Sequence, residues 1–379
     1  MLGAVGLLAV LRPDAAGAVP KHALPVPAAT LARMGELGLA ASAPILMRAY
    51  KKESEIEVWK RSPAGRYVLL KTFPVCRWSG QLGPKTRTGD RQTPEGFYPV
   101  APRQMNPNSR YFLSFDVGYP NAFDRAHGGT GSAVMVHGTC SSAGCFAMTD
   151  RQVGEIYALA RDAFAGGQAA FQFQSYPFRM TAQNLARHRT DRNLAFWRQL
   201  KEGSDRFEAT GQEPAVTVAG DRYAFAPYPD PATEAAAVAR IDEETSRYAS
   251  LLAQGIEAVR TTYSDGGQHA TFAALMRAGA ALGEVSRPEA LALAGQEIVL
   301  IPGRKRPVLL AAMVPVPVSL PVIETEPSLF ARAPLAEGPT RLTLAAAPQP
   351  SKPLFSAATP VRFGPVLTAQ LMTTAFTSH

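Results

Sequence analysis

Cysteine is scarce in this chain, with three in 379 residues. So small and odd a number excludes a disulfide-built framework and leaves room for one bridge and one free thiol. Long apolar runs are missing as well. The most apolar stretch, Leu2 to Leu11, is too short to span a bilayer stably. Blocks of like charge are absent although the net charge is +8. The lysines and arginines are scattered, and no aromatic-and-glycine pattern of an RNA-binding module accompanies them, which excludes a nucleic-acid partner. A scattered basic balance still favours anionic polymers or surfaces. No internal repeat is visible.

What the chain does have is proline, 32 residues, and glycine, 31 residues. The prolines crowd toward the C-terminus, which implies a folded front and a looser back. At the other end, the apolar Leu2–Leu11 segment is followed by the small residues Ala15 to Pro20. That is the shape of an export signal over residues 1–20, although no basic residue precedes Arg12.

From Pro44 the sequence reads as strands. EIEVW alternates apolar and charged residues, SPAG makes a turn, and RYVLLKTFPV returns as the partner. Residues 80–109 form a long structured loop with one short strand over 96–100. YFLSFDVGYP and AVMVHG read as strands, FQFQSYPF as another. TDRQVGEIYALARDAF runs at helical spacing with Thr149 or Asp150 as N-cap. A single helix is expected over NLARHRTDRNLAFWRQLKEGSDRFEAT, ending near Gly211. PYPDPATEAA reads as a linker to an α-rich extension over 230–310: a long helix to about Tyr263, a second helix, and a hairpin within 297–313. Residues 315–379 read as a disordered tail.

The stretch HGTCSSAGC carries the chemistry. His137 ends a strand, and Cys145 follows a Ser/Gly-rich turn. Strand and turn bring thiol and imidazole within reach, the pairing a cysteine nucleophile needs because only the thiolate reacts. A helix N-terminus nearby would lower the thiol pKa further. The amides of Gly144 and Cys145 could face a developing oxyanion. Three alternatives remain open on the residues alone: Cys145 as apolar filler, a Cys140–Cys145 disulfide, or zinc, for which carboxylate or histidine partners at ligand spacing are lacking. Cys76 and Cys140 otherwise read as core or redox-silent thiols. Ser142 reads as a turn former supporting the thiol. His127 and Arg125 are candidates to line a substrate groove, and Lys85 and Arg87 to bind carboxylates. Asp90 and Glu95 read as loop-fixing, Trp59 and Trp78 as core. His188 and His269 carry no pattern.

HGTCSSAGCFAMTD resembles the active-site stretch of the L,D-transpeptidase (YkuD-type) catalytic domain family, in its Gram-negative murein branch. GPKTRTGDRQTPEGFY and PRQMNPNSRYFLSFDVGYPNAFDRAHGGTGSAVMVHG resemble that branch too, and the likeness spans about residues 40–215. The resemblance implies a mainly β, sandwich-like domain with a few short helices. It implies Cys145 as nucleophile and His137 as proton donor and acceptor, with Gly144 and Ser142 in support and no metal or other cofactor. It implies peptidoglycan stem peptides as substrate in the periplasm or cell envelope of a Gram-negative bacterium. Two positions depart from the wider family, Ala143 in place of a second histidine and Ala147 where an arginine is usual. The closest branch shares them and includes enzymes resembling amidases that release a lipoprotein from murein. A hydrolase, either an L,D-carboxypeptidase or such an amidase with a murein-linked outer-membrane protein as partner, is therefore the alternative. A silent wall-binding module is the other, and a thiol redox protein is disfavoured because the cysteines lack CxxC spacing.

Overall fold

The computed structural model describes residues 19–282 and 288–304. All but the last two residues of the expected export segment, and the whole expected tail, lie outside them. The lead-in helix α1 (Ala28–Glu36) precedes β1 (Ile45–Tyr50), β2 (Glu55–Arg61) and β3 (Tyr67–Pro74), the strands expected from the alternating pattern. The loop-rich stretch that follows yields only short pieces: β4 (Arg77–Trp78), β5 (Gly96–Val100), β6 (Met105–Asn106), β7 (Ser114–Asp116) and the one-turn α2 (Ala122–Ala126). Then come β8 (Met135–His137), β9 (Phe146–Ala147), α3 (Asp150–Ala165) and β10 (Phe171–Tyr176). Thr149 caps α3 as expected, its hydroxyl accepting from the Gln152 amide and the Gln152 side chain reaching back to the Thr149 amide.

These strands build two five-stranded sheets, β3-β2-β1-β10-β5 and β4-β9-β8-β7-β6. In the first, β1 runs antiparallel to β2 and parallel to β10, with Met47 opposite Phe173. This central place explains why every position of ILMRAY is buried. The sheets meet through aromatic rings, Phe115 edge-on to Phe171 at 5.6 Å and Phe146 edge-on to Phe173 at 5.5 Å. Val153, Ile156 and Leu159 of α3 complete the same core. Each such side chain contributes about 1.5–3 kcal/mol by leaving water.

The single helix expected over 184–210 is two: α4 (Ala182–Arg187) and α5 (Leu194–Thr210). Asp191 breaks it, because its carboxylate takes the Asn193 amide at 2.8 Å, a local bond that competes with the helical ladder. His188 Nδ1 meanwhile donates to Asn184 O at 2.8 Å and its Nε2 meets the Thr261 hydroxyl at 3.0 Å. Gly211 does end α5, at φ +64°, where a left-handed cap favours glycine. A hairpin not expected from the sequence follows, β11 (Val216–Ala219) and β12 (Arg222–Phe225). Its Gly220-Asp221 turn between alternating residues was a readable signal.

PYPDPATEAA is a helix start rather than a linker. Asp230 accepts from the Thr233 amide at 3.0 Å and Pro231 takes the first position of α6 (Pro231–Ala253). This helix lies along α5 and α4. Glu244, 2% exposed, accepts from the Ala182 amide at 2.9 Å and from Lys201 at 2.8 Å. The long helix ends at Ala253 instead of continuing to 263. Gly255 turns left-handed, and β13 (Ala258–Thr262) begins three residues later. After α7 (Ala270–Arg277) comes β14 (Gln296–Ile301), which pairs with β13. The other arm of the expected hairpin lies outside the described residues. Among the described residues no helix is long and apolar enough to cross a membrane.

Candidate active site

β8 and β9 run parallel, with Val136 opposite Phe146. Both of those side chains are buried in the core. The pleat therefore turns the residues on either side, His137 on one strand and Cys145 beside the other, to the opposite face together. The connection between them is tight. Thr139 and Cys140 both adopt positive φ, 68° and 45°, which costs non-glycine residues energy. Their surroundings hold them there: the Asp150 carboxylate takes the Thr139 amide at 2.9 Å, and Met148 O takes the Cys140 amide at 3.2 Å.

Cys140 is also half of a disulfide with Cys76, Cα atoms 5.3 Å apart. This corrects the reading of both as unpaired thiols, and it removes the Cys140–Cys145 bridge as an alternative. Cys145 is the free cysteine. Its sulfur accepts from the Met135 amide at 3.4 Å and donates weakly to Ala133 O at 3.9 Å. A small cavity of about 110 Å3 opens over it, walled by Lys85, Thr88, Ser132 and Ala143.

His137 is 3% exposed and packs at a tilt against Tyr111, ring centres 4.7 Å apart. Its Nδ1 lies 2.6 Å from Gly138 O. A carbonyl only accepts, so Nδ1 carries the proton and Nε2 is left as the base. Burial holds the imidazole below its ordinary pKa. Burial also pushes the Cys145 thiol above its ordinary value, against the pull of the Met135 amide. That reverses the expected lowering by a helix N-terminus. Cys145 runs into β9, and α3 begins five residues later with its first turn already capped by Thr149. Both shifts favour the uncharged forms, thiol and imidazole.

Ser142 organises the turn. Its hydroxyl donates to Cys145 O at 2.7 Å and accepts from the amides of Cys145 at 3.1 Å and Gly144 at 3.3 Å. Those two amides, expected to face an oxyanion, are turned to Ser142 instead. The remaining candidates lie elsewhere. His127 stacks on Phe123 and its Nδ1 bonds Phe123 O at 2.9 Å, on a neighbouring cavity of about 450 Å3 that also touches Lys85. Arg125 donates to Pro120 O beside a third cavity. Neither walls the space over Cys145. Lys85 does, but its ammonium is paired with Asp90 at 2.5 Å. Asp90 also takes the Thr86 and Arg87 amides at 3.0 Å, the loop-fixing role expected for it. Among the described residues no three His, Cys, Asp or Glu side chains gather as a metal ion would require.

Two residues of the site escaped the sequence. Tyr111 covers the His137 ring, and Arg91 donates to Ser142 O at 3.2 Å. Nothing local in the sequence marks either contact.

A family model described as the L,D-transpeptidase catalytic domain, YkuD, matches residues 52–165. Over 180 residues, 48% of this chain and 73% of the relative, the sequence is 43% identical to the Escherichia coli K12 protein named "Putative L,D-transpeptidase YafK". The chain belongs to the L,D-transpeptidase family. As an L,D-transpeptidase family member it carries a β-rich catalytic domain of a peptidoglycan-acting class. The match to the family model stops at Ala165, so β10 and α4 to β14 lie beyond it. Solved structures give weaker likenesses. The helical cell shape determining protein Pgp2 of Campylobacter jejuni is 14% identical, covering 62% of this chain and 80% of that one, at a TM-score of 0.29. Bd1075 of Bdellovibrio bacteriovorus is 15% identical, covering 47% and 76%, at 0.27. Neither likeness is close enough to carry function.

Proposed function

We propose that this L,D-transpeptidase family member is an exported cysteine acyltransferase acting on peptidoglycan stem peptides through Cys145 and His137. The observation that supports the reading is the parallel pairing of β8 and β9, with an Nδ1-anchored His137 ending one strand and the free Cys145 directly preceding the other. His137 Nε2 takes the thiol proton as Sγ bonds to the carbonyl carbon at the L-centre of a diaminopimelate residue. The bond to the terminal D-residue then breaks, and its amine departs with the proton held by His137. A thioester on Cys145 remains. An acceptor amine or water attacks it, His137 again taking the proton, and the thiol is restored. The Cys76–Cys140 disulfide favours an oxidising compartment, which fits a periplasmic location.

The test is intact-mass analysis of the purified protein incubated with muropeptides bearing tri- and tetrapeptide stems. A Cys145 adduct with loss of the terminal D-residue and cross-linked product is the expected result. Shortened or released stems without cross-links would mean a hydrolase on the same cysteine. No adduct and no product would overturn the enzyme reading in favour of a binding module.

The pH profile follows from the resting protonation. His137 must be neutral to act as base, and its pKa lies below the ordinary 6.5. The neutral form persists above that pKa, so kcat/KM should hold down to about pH 6.5 and fall only at lower pH. The thiol ionises above its ordinary value, so alkylation of the free enzyme by iodoacetamide should still be rising at pH 9. A thiol fully reactive at pH 7 would mean that a resting thiolate–imidazolium pair exists after all.

A further inference from the structure

The segment between β13 and α7, about a hundred residues beyond the family-model match, is seated directly behind the catalytic turn. Gly267 and Trp78 exchange backbone bonds, Trp78 N to Gly267 O at 3.0 Å and Gly267 N to Trp78 O at 3.1 Å. Gly266 N donates to Gly80 O at 2.6 Å. Gly266 has φ +75°, and a Cβ there would come to 1.9 Å from Trp78 O, so backbone approaches backbone at a place only glycine fills. Trp78 belongs to β4, which pairs with β9 immediately after Cys145.

Asp265 sits in this segment at 2% exposure. Its carboxylate holds Arg91 by two bonds, Nη2 to Oδ2 at 2.6 Å and Nε to Oδ1 at 3.3 Å. The same Arg91 Nη2 donates to Ser142 O at 3.2 Å. Ser142 in turn holds the amides of Gly144 and Cys145. Arg77, itself buried, donates to the Asp265 carbonyl and lies 3.9 Å from its carboxylate. We infer that Asp265 is a positioning residue for the nucleophile. It aims Arg91 at the Ser142 carbonyl and so fixes the turn that presents Cys145. The inference rests on Cys145 being the nucleophile, and it makes the C-terminal extension part of the catalytic unit. A planar guanidinium bonded at two atoms has one orientation, which is what a turn between two strands requires.

The test is Asp265→Asn in the full chain, near-isosteric but uncharged. Deuterium exchange of peptides covering 140–147 should quicken about tenfold, the weight of one charge-assisted bond, while β1 and β10 stay unchanged. With muropeptides, kcat should fall about tenfold and KM stay within about twofold, because the bond acts on geometry and not on substrate binding. Arg91→Lys keeps the charge but cannot bond Asp265 and Ser142 in the same fork. It should reproduce both effects, and it serves as the readout if the aspartate variant fails to fold. Exchange that is unchanged over 140–147, or that rises equally in β1 and β10, would overturn the proposal. So would faster exchange with kcat unaltered. If the wild type turns over no muropeptide while the exchange result holds, the functional reading fails and the positioning of the turn stands.

Discussion

Replacing Cys145 with serine is expected to lower turnover by at least about a thousandfold while leaving the fold intact. The change exchanges one atom for a slightly smaller one at a half-buried position, and the Met135 amide keeps a partner. Stability should therefore shift by no more than about 1 kcal/mol. The chemistry is far less forgiving. A hydroxyl ionises many units above a thiol, and His137 is anchored through Nδ1 to a backbone carbonyl rather than to a carboxylate. A carbonyl orients the ring but does little to stabilise the imidazolium that a serine attack would demand. The comparison is made by intact mass and by product analysis on the same muropeptides, with thermal melting as the control for folding. A serine variant that still acylates at the wild-type rate would remove Cys145 from the mechanism altogether.

The parts of this molecule that were legible in its sequence are those set by neighbours along the chain. β1 to β3 show in the alternation of EIEVW and its returning partner, and α3 shows in its capping box. The strand, turn and strand that carry His137 and Cys145 were legible because they lie within a dozen residues. Even so, the turn's amides and the thiol's pKa came out differently, because Ser142 and burial act on them in three dimensions. What stayed hidden is long-range. The disulfide joins cysteines 64 positions apart, and Arg91 finds Asp265 across 174. The docking of α6 depends on the acidic Glu244 meeting Lys201, a pairing that a pattern of surface charges does not announce. The break between α4 and α5 is different in kind. Asp191 and Asn193 carried a local turn signal that helical periodicity on both sides outweighed.

The second large effect lies in the loop that borders the turn before Cys145. Lys51, just after β1, and Glu95, just before β5, are both fully buried and bonded at 2.9 Å. The ammonium also donates to Gly83 O at 3.1 Å and Thr93 O at 3.0 Å. The carboxylate also accepts from the Gly83 amide at 2.7 Å and the Trp197 indole at 2.9 Å. One ion pair thus pins both ends of the 83–95 loop to the first sheet and to α5. Lys51→Met keeps the volume and removes the charge. It strands a carboxylate away from water and takes the donor from the Thr93 carbonyl, while Gly83 O keeps the Gln92 side-chain amide at 2.7 Å, a loss of about 3–5 kcal/mol. Against a total stability of about 5–15 kcal/mol this is a large share. Urea unfolding should show it as a lower midpoint at nearly constant slope. Adding Glu95→Gln to the same chain removes the stranded charge, so the double variant should be more stable than Lys51→Met alone. Activity should fall in parallel, because Thr93 of this loop bonds both the Ser79 amide at 3.2 Å and the Cys145 carbonyl at 3.4 Å. A loss under about 1 kcal/mol in the single variant would mean that water or a shifted side chain reaches Glu95, and that the loop is held by its backbone contacts instead.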